Sequence, residues 1–586
     1  MKFSEKILPR LDEVRGGDGK WTAKCPAHDS QNASLSISEV SDAVPSDATI
    51  TSKEHTPIAH GSQATKLVEL CKGLEFFHSD DGEAYVTLKR SDHRETWSLR
   101  SKDFRDYLAL KFYRRHRRTP GGLTIDEALR TLSGKARFDG AQRPIALRVA
   151  GRNDTIYLDL CNARWQAVEI TATGWRVVDP PVRFVRRRGM VTLPQPTRDG
   201  SIDPLWSLLN ITDPQARALI SGWLIAALRP RGPYPVLVLQ GEMGAAKSTV
   251  ARMLRALVDP SIAPVRTVPR TESDLLIAAR NSWVIALDNL SGLPLWLSDA
   301  LCRLATGGGF STRELYTNLD EVLIEVQRPC ILNGIDDICT RDDLIDRAII
   351  VNLEPIPETA RRPETELWQA YDSIRPAILG ALLDAVVTAL RRLPDVCLDR
   401  LPRMADFAQW VTAAEPALGL NDGAFMAAYS ASRRSAVEDA LEGSAVANAL
   451  RKMMDKQERW DGTATSLLAH LDSLFDPKLP RSKSWPKSAR TLSSALSRLA
   501  PSLRSVGIAV TRHRSAATRR LTIERISKGS SFPSRASPVA PGAPNRRDAW
   551  MPIGERHDAS RGLEPALELP RNSHGDAYDG NDAERT

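Results

Sequence analysis

The stretch PVLVLQGEMGAAKSTVARMLRALVDP, residues 235–260, decides the fold class of this chain. Its apolar run from Val236 to Leu239 predicts a strand, a glycine-bearing loop spans 241–246, and the residues from Lys247 onward have the apolar spacing of an amphipathic helix. A strand, a loop and a helix in this order are the setting that a phosphate-binding P-loop requires. We therefore predict an α/β fold in which a parallel sheet carries a nucleotide site at this loop.

The loop residues have separate expected roles. Gly241 and Gly244 let the backbone turn so that its N–H groups point at phosphate oxygens, and the helix N-terminus adds the positive end of its dipole. Lys247, the only lysine between Ala136 and Arg451, is placed to reach the phosphates of ATP, and Ser248 to ligate Mg²⁺. The expected nucleotide-binding residues are Gly241, Glu242, Met243, Gly244, Ala245, Ala246, Lys247, Ser248 and Thr249.

Ala246 stands where this motif usually has a glycine. Because alanine is small and accepts helical backbone angles, we expect nucleotide binding to persist.

Two further apolar strands are predicted to end in polar residues. In SWVIALDNLS the predicted strand ends at Asp288, which we expect to hold the metal together with Ser248. Asn289 follows where many ATPases have a glutamate, which leaves the general base open, with Glu242 or Asp299 as alternatives. PCILNGI places Asn333 where it could orient the attacking water, although an asparagine that ends a strand is often only a turn former.

RDDLIDRAIIVNL puts Arg347 at the start of another strand. Arg347 is either an arginine finger for the nucleotide of a neighbouring subunit or the partner of Asp343 or Asp346 in a salt bridge. The predicted catalytic set is therefore Asp288, Asn289, Asn333 and Arg347.

The order of these motifs resembles the AAA+ ATPases of helicase superfamily 3, in particular the primase–helicases of phages, poxviruses and integrative elements. The resemblance is carried over about residues 235–355 by GEMGAAKST, ALDNLS, SDALCRLATGGGFSTRELYTN, RPCILNGID and DLIDRAI. It implies a DNA-dependent ATPase and helicase that forms a homo-oligomeric ring, a hexamer, during replication of a mobile element. The alternative is a DNA-binding initiator or regulator that binds ATP with little turnover.

The resemblance also implies a hairpin that grips single-stranded DNA in the pore of the ring. It nominates Arg313 for a phosphate contact and Tyr316 for stacking on a base. A core position is the alternative for Tyr316.

The net charge of +8 is concentrated near the C-terminus of the 586-residue chain, where 481–525 holds eleven bases and one acid. Leu492, Leu496 and Leu499 have helical spacing, and the helix is expected to end near Ala500-Pro501 before two β-like runs. A helix followed by a basic hairpin predicts a winged helix that binds duplex DNA, the alternative being a solvated charged face. The expected contacts are Arg490, Arg498, Arg512, Arg514, Arg519 and Arg520.

The N-terminal CPAHDSQNASLSI resembles the first half of the CHC-type zinc finger of primases. Cys25 and His28 have ligand spacing, but the cysteine pair expected after them is missing, so we predict a degenerate finger without zinc. We find no acidic cluster for the metals of primer synthesis.

The predicted organisation has five parts: a finger-like segment (1–65), an α+β domain of unknown role (66–200), the ATPase domain (201–395), a helical region with the winged helix (396–526) and a disordered tail (527–586). The seven scattered cysteines and the lack of a signal peptide predict a cytoplasmic protein. We expect no membrane association, because the most apolar run, 377–390, is interrupted by Asp384 and is too short to span a bilayer.

Overall fold

The computed structural model describes residues 15–17, 20–23, 35–38, 62–313, 321–334, 338–339, 341–474, 485–514 and 519–526, with the backbone alone for 15–17, 20–23, 35–38, 310–313, 321–324 and 514. The chain divides into two compact units, Met1–Ser62 and Gln63–Thr586. In the first unit the structure describes three antiparallel strands, β1 (Arg15–Gly17), β2 (Lys20–Ala23) and β3 (Leu35–Ser38). Cys25, His28 and the predicted disordered tail lie outside the described residues.

The second unit begins with helices packed on a small sheet. Its elements are α1 (Gln63–Leu70), β4 (Glu75–His78), β5 (Ala84–Lys89), β6 (Arg94–Ser98), α2 (Lys102–His116), α3 (Gly122–Gly134), a π-helical turn (Lys135–Asp139) and β7 (Ala141–Gln142). The strand order is β6-β5-β4-β7, and only β7 runs parallel to its neighbour. The buried Leu67, Phe104, Leu108 and Leu132 hold the three helices together.

A four-stranded antiparallel meander follows, with the strand order β12-β11-β10-β9. The elements are β8 (Ile145–Ala146), β9 (Val149–Arg152), β10 (Thr155–Asp159), β11 (Ala167–Thr171), β12 (Gly174–Val178) and β13 (Arg183–Phe184), with β13 pairing in parallel with β8.

A buried ion pair ties this region to the next one. The fully buried Arg148 donates from Nε to Asp259 Oδ1 at 3.0 Å, and the other oxygen of Asp259 accepts the backbone N–H groups of Trp283 and Val284. Arg255 also lies 3.8 Å from this carboxylate, so loss of Arg148 would remove the closer of the two buried cations that balance its charge.

The central region alternates strands and helices. Its elements are α4 (Asp203–Leu208), α5 (Pro214–Ala227), β14 (Val236–Gln240), α6 (Lys247–Val258), α7 (Glu272–Asn281), β15 (Ile285–Leu290), α8 (Leu295–Thr306), β16 (Gly309–Arg313), β17 (Glu321–Glu325), β18 (Cys330–Gly334), α9 (Asp342–Ile345) and β19 (Ala348–Asn352). The sheet order is β15-β18-β14-β19, and all four strands are parallel. β16 and β17 form a separate hairpin.

Residues 203–227 form two helices. The second begins after Asp213, whose carboxylate accepts the backbone N–H groups of Gln215 and Ala216, and Pro214 fits the first helical position.

Three helices complete the main core: α10 (Glu364–Arg392), α11 (Ala405–Ala414) and α12 (Ala424–Glu442). Among the described residues α10 is the one helix long and apolar enough to cross a bilayer, and more than half of its most apolar window is buried in the protein. The apolar run 377–390 therefore belongs to a longer helix that contributes to the core.

Residues 445–526, which we term the C-terminal module, have a hydrophobic core of their own. The elements are α13 (Ala445–Met454), β20 (Arg459–Thr463), α14 (Ala464–Ser473), α15 (Ala489–Ser505), β21 (Ile508–Arg514) and β22 (Arg519–Arg525), with the antiparallel order β20-β22-β21.

The prediction that the helix ends near Ala500-Pro501 is wrong, because α15 continues to Ser505. Leu503 is fully buried, and the hydroxyl of Ser502 donates to Asp342 Oδ1 at 2.6 Å. These contacts hold the last turn although Pro501 has no N–H to donate.

Candidate functional site

The candidate site lies at the carboxyl edge of the parallel sheet. β14 stands between β18 and β19, while β15 follows β14 in the chain but lies beyond β18. The strand order therefore reverses at β14, and ligands of open α/β sheets bind outside the carboxyl ends of the strands at such a point. The loop 241–246 leaves the sheet there.

Close approach and left-handed backbone shape this loop. A Cβ on Gly241, whose φ is +148°, would stand 2.3 Å from the carbonyl oxygen of Leu353, and Gly244 has a φ of +86°. Ala246 is also left-handed, with φ +55° and ψ +27°. The expectation that Ala246 takes helical angles is therefore wrong: the residue before α6 adopts the conformation that favours glycine.

The side chains of Lys247 and Ser248 both contact other predicted site residues. Lys247 donates from Nζ to the carbonyl oxygens of Gly241 and Glu242, both at 2.8 Å, so the ammonium lies over the loop. Ser248 Oγ donates to Asp288 Oδ1 at 2.8 Å. A hydroxyl and a carboxylate that meet beside a lysine are suited to hold a hard divalent cation next to an anion.

Asn333 lies between these groups at the end of β18 and is 1% exposed. Its Oδ1 accepts the backbone N–H of Asn289 at 2.8 Å, which fixes the amide orientation because only the oxygen can accept. Its Nδ2 is buried and has no hydrogen-bond partner among the described residues. This free donor beside Asp288 is the feature of the site that points most directly to a ligand oxygen or a water.

Asn289 and the two alternatives for the general base are less well placed. Asn289 is exposed and left-handed, with φ +57°. The Glu242 side chain is exposed, and Asp299 forms an ion pair with Arg341 at 2.7 Å.

Arg347 lies at the opposite edge of the sheet. It precedes β19, and its backbone carbonyl accepts the N–H of Val236 at the start of β14. The guanidinium donates to the carbonyl oxygen of Asp343 at 2.7 Å and lies 3.9 Å from the carboxylate. Asp346 pairs instead with Arg403 and Arg433. The Asp343 pairing is thus present, and Arg347 is remote from the loop of its own chain.

A segment that the sequence did not single out covers the loop. Residues 353–361, which we term the strap, follow β19, and the N–H of Ile356 donates to the carbonyl of Gly244 at 3.3 Å. The guanidinium of Arg361 lies 3.5 Å from the position that a Cβ on Gly244 would take. Arg361 is exposed, and its ion pair with Glu358 is long, at 3.8 Å. The guanidinium therefore remains available to an anion in the loop. Nothing in its spacing from the loop motif could have identified it.

The predicted DNA contacts differ in availability. Arg490, Arg498 and Arg519 are exposed and have no hydrogen-bond or ion-pair partner among the described residues. Arg512 donates to the carbonyl of Ser493 at 2.5 Å, and Arg520 pairs with Asp461 at 2.8 Å. Arg313 is the last residue of β16, but its side chain, that of Arg514 and all of Tyr316 lie outside the described residues.

Burial changes the acidity of several groups in this region. It raises the pKa of the Cys330 thiol at the start of β18 to about 12 and lowers the pKa of Arg328 beside it to about 10. Cys330 is therefore a neutral core residue at physiological pH. The described residues contain no group of three or more His, Cys, Asp or Glu side chains that could hold a metal ion.

The chain has limited similarity to solved structures. The C-terminal region of NrS-1, in an apo form, aligns at 11% identity over 78% of this chain and 98% of that one, with a TM-score of 0.36. A second apo structure of that region aligns at 12% identity over 80% of this chain and 100% of that one, with a TM-score of 0.35. JCV helicase bound to a small molecule aligns at 11% identity over 38% of this chain and 72% of that one, with a TM-score of 0.19.

Family comparison is more informative. No curated protein matches the chain. Residues 202–439 match the family described as the actinomycete integrative conjugative element replication protein, AICE RepA, and residues 446–538 match the AICE RepA C-terminal domain. The first match contains the parallel sheet with its loop, and the second contains the C-terminal module. Over these two stretches, which together make up more than half of the chain, the protein matches the AICE RepA replication protein families.

Proposed function

We propose that this protein is an ATP-dependent DNA helicase or translocase that acts in the replication of an integrative conjugative element. The observation that carries the proposal is the meeting of Lys247, Ser248, Asp288 and Asn333 at one edge of one parallel sheet, with the Asn333 amide donor free. The family match supplies the setting of element replication.

The side chains present fit ATP and Mg²⁺. Loop N–H groups, the helix N-terminus and Lys247 form a cradle for phosphate, and Ser248 and Asp288 bring two oxygen ligands of the kind that Mg²⁺ prefers. Ser248 and Asp288 would hold the ion, which would offset the negative charge of the phosphates.

The chain itself then has three tasks. Lys247 binds the phosphates after leaving the carbonyls of Gly241 and Glu242. Asn333 donates from Nδ2 to the attacking water or to a phosphate oxygen while its Oδ1 stays on the N–H of Asn289. Arg361 of the strap adds positive charge over the loop, so that the strap senses whether phosphate is present.

In this proposal Arg347 acts on the nucleotide that a neighbouring subunit binds. Because it lies at the amino edge, it can act only on the nucleotide of a neighbouring subunit, after releasing Asp343. We therefore propose a ring of subunits, a hexamer, with single-stranded DNA in the pore, gripped by the β16–β17 hairpin through Arg313 and Tyr316.

The C-terminal module is proposed to bind duplex DNA as a winged helix. It has the element order of that fold, with α15 as the recognition helix and β21–β22 as the wing. Arg490 and Arg498 lie on the exposed surface of α15, between small serines that would let the helix approach a groove.

Substitution of Lys247 tests the proposal. Lys247→Ala should abolish ATP hydrolysis and leave duplex binding by the C-terminal module unchanged, with Lys72→Ala, outside that module, as the control for loss of one lysine. Undiminished turnover in Lys247→Ala refutes the assigned site.

A second function is favoured by one observation. Asn289 occupies the place expected for a water-activating carboxylate. The protein would then be a replication initiator or regulator that binds ATP with little turnover. Steady-state hydrolysis with and without single-stranded DNA separates the two, since stimulation supports the motor and tight ATP binding without turnover supports the initiator.

A further inference from the structure

The strongest charged surface outside these sites is the end of α2. Between Tyr107 and Ile125 the chain has five cationic residues and no acid. We term this set the α2 basic surface, and it consists of Lys111, Arg114, Arg115, Arg117 and Arg118. All four arginines are exposed. One or two basic side chains in the last turn would complement the helix dipole, which acts only within that turn. The dipole therefore does not account for five basic residues.

The structure shows no ion-pair partner for these arginines among the residues it describes. In the part of the chain that the structure describes, no carboxylate lies within ion-pair distance of any of the four. Neighbouring arginines behave differently: Arg105 pairs with Asp126, Arg143 and Arg183 with Glu75, and Arg186 with Asp159. Four nearby arginines are thus paired, whereas the α2 basic surface has no carboxylate partner among the described residues, as is also true of the exposed Arg100, Arg130 and Arg137.

Exposed apolar groups lie among these charges. Leu110 is 47% exposed and Tyr113 44% exposed. With Arg114 and Arg117 they follow the i, i+3, i+4, i+7 spacing of one helix face, opposite the buried Phe104, Leu108 and Phe112. An exposed ring between guanidinium groups is a surface on which a base can stack while its phosphates are bound.

At the end of α2 an arginine occupies a left-handed backbone position. Arg117 is the C-cap residue with φ +53°, and its N–H donates to the carbonyl of Tyr113. Glycine usually occupies such a position, because a residue with a Cβ is strained there. Arginine at this position complements the helix dipole and places one more exposed guanidinium on the surface.

The α2 basic surface adjoins the β5–β6 turn. The Arg90 guanidinium, which pairs with Glu95 at 3.0 Å, lies 5.7 Å from the centre of the Tyr107 ring, and the Lys111 ammonium lies 5.6 Å from it, so the turn and the helix share one aromatic side chain. Beyond Arg90 a cleft of about 410 Å³ is lined by the basic residues Lys89, Arg90 and Arg94, by Trp165, and by the acidic residues Asp92 and Asp179, among others.

We propose that the α2 basic surface binds the phosphate backbone of single-stranded DNA, with the strand continuing toward the cleft beside the β5–β6 turn. This assigns a binding role to a region outside both family matches and adds a DNA contact separate from the hairpin and the C-terminal module. A surface of basic and aromatic side chains favours a single strand over a duplex, because a flexible strand can follow the surface and stack its nucleobases on the aromatic rings. The inference rests on the proposed function only in that the ligand is DNA.

The test compares two full-length double variants with the same loss of charge. Arg114→Gln/Arg115→Gln changes the surface, and Arg400→Gln/Arg434→Gln removes two exposed arginines elsewhere. Binding of a fluorescent single-stranded oligonucleotide and of a duplex is measured without nucleotide across a salt series. Two lost phosphate contacts should reduce the salt slope by about 1.4 and weaken single-strand binding about 25-fold at 0.1 M salt, while the control stays within about threefold of the original chain.

Unchanged single-strand affinity in Arg114→Gln/Arg115→Gln overturns the proposal, as does an effect confined to the duplex. Equal losses in both double variants would show a general charge effect and would also overturn it. Loss of binding to polyglutamate with single-strand affinity intact would point to an acidic protein partner and overturn it as well. ATP hydrolysis without DNA, measured on the same samples, reports separately on the proposed function.

Discussion

Replacement of Ala246 by glycine tests the loop geometry directly. Ala246 precedes α6 with φ +55° and ψ +27°, so it pays the cost of a left-handed residue with a Cβ. The neighbouring Ala245 is a matched control, because it belongs to the same loop, is 3% exposed and has no positive φ. The two alanine-to-glycine substitutions differ mainly in backbone conformation and burial.

The magnitudes have opposite signs. Relief of the left-handed strain at 246 gains about 1–2 kcal/mol, and the extra freedom of glycine in the unfolded chain returns roughly 0.4–1 kcal/mol, which leaves a net gain of about 0.5–1 kcal/mol. Ala245→Gly has no strain to relieve, and it loses the same entropy together with about 0.8 kcal/mol for the buried methyl group. The two variants should therefore differ by about 2 kcal/mol.

Thermal unfolding of the nucleotide-free protein is the assay. Ala246→Gly should raise the midpoint by about 1–2 °C and Ala245→Gly should lower it by a few degrees, with ATP affinity in Ala246→Gly within a factor of about three of the original. A midpoint that falls equally in both variants would refute the left-handed assignment at 246 and the account of the loop that depends on it.

Three further predictions concern other parts of the molecule. Asn333→Ala removes the free amide donor, and we expect kcat for ATP hydrolysis to fall about 100-fold or more with ATP affinity changed only a few-fold; a change in affinity alone would contradict the role of Nδ2. Hydrogen bonds from Thr522 and, to a smaller extent, Arg520 lower the pKa of Asp461, so this carboxylate stays charged until the pH falls below the ordinary carboxyl range. Asp461→Asn removes the charge that pairs with Arg520, and it should steepen the salt dependence of duplex binding by about 0.9. Because Asp461 is charged at both values, the effect should be equal at pH 6 and pH 8. Burial raises the pKa of Cys330 to about 12, so alkylation of the native protein at pH 8, followed by peptide mass spectrometry, should label the exposed Cys397 and spare Cys330.

The sequence predicted those parts of the fold that depend on local pattern. The strand–loop–helix at 236–258 and the strands ending near Asp288 and Asn333 are short apolar runs followed by polar residues, and the structure has all of them. Their convergence at one edge follows from the parallel direction of the strands, which strand–helix alternation already indicates. The contact between Ser248 and Asp288 is therefore a consequence of pattern, although the two residues are forty positions apart.

What could not be predicted depends on contacts between distant segments. α15 passes Pro501 because Leu503 and Ser502 gain burial and a hydrogen bond to Asp342, which the local sequence does not contain. Arg361 lies over Gly244 because the strap after β19 turns back across the loop. The left-handed angle at Ala246 comes from the geometry of the turn into α6, whereas alanine's own preference is helical.

The position of Arg347 shows how a residue can be assigned correctly to an element and still leave its role undecided. β19 spans five residues, so Arg347 and the loop are separated by about 17 Å along the strand direction. Within one chain this arginine can only bind Asp343, as it does, while in a ring the amino edge of one subunit could face the loop of the next. Hydrolysis that depended on Arg347 would therefore require assembly, and the specific ATPase rate would rise with protein concentration in the original chain but stay flat in Arg347→Ala. A rate independent of concentration in the original chain, at levels where it is monomeric, would assign Arg347 to the Asp343 pair alone.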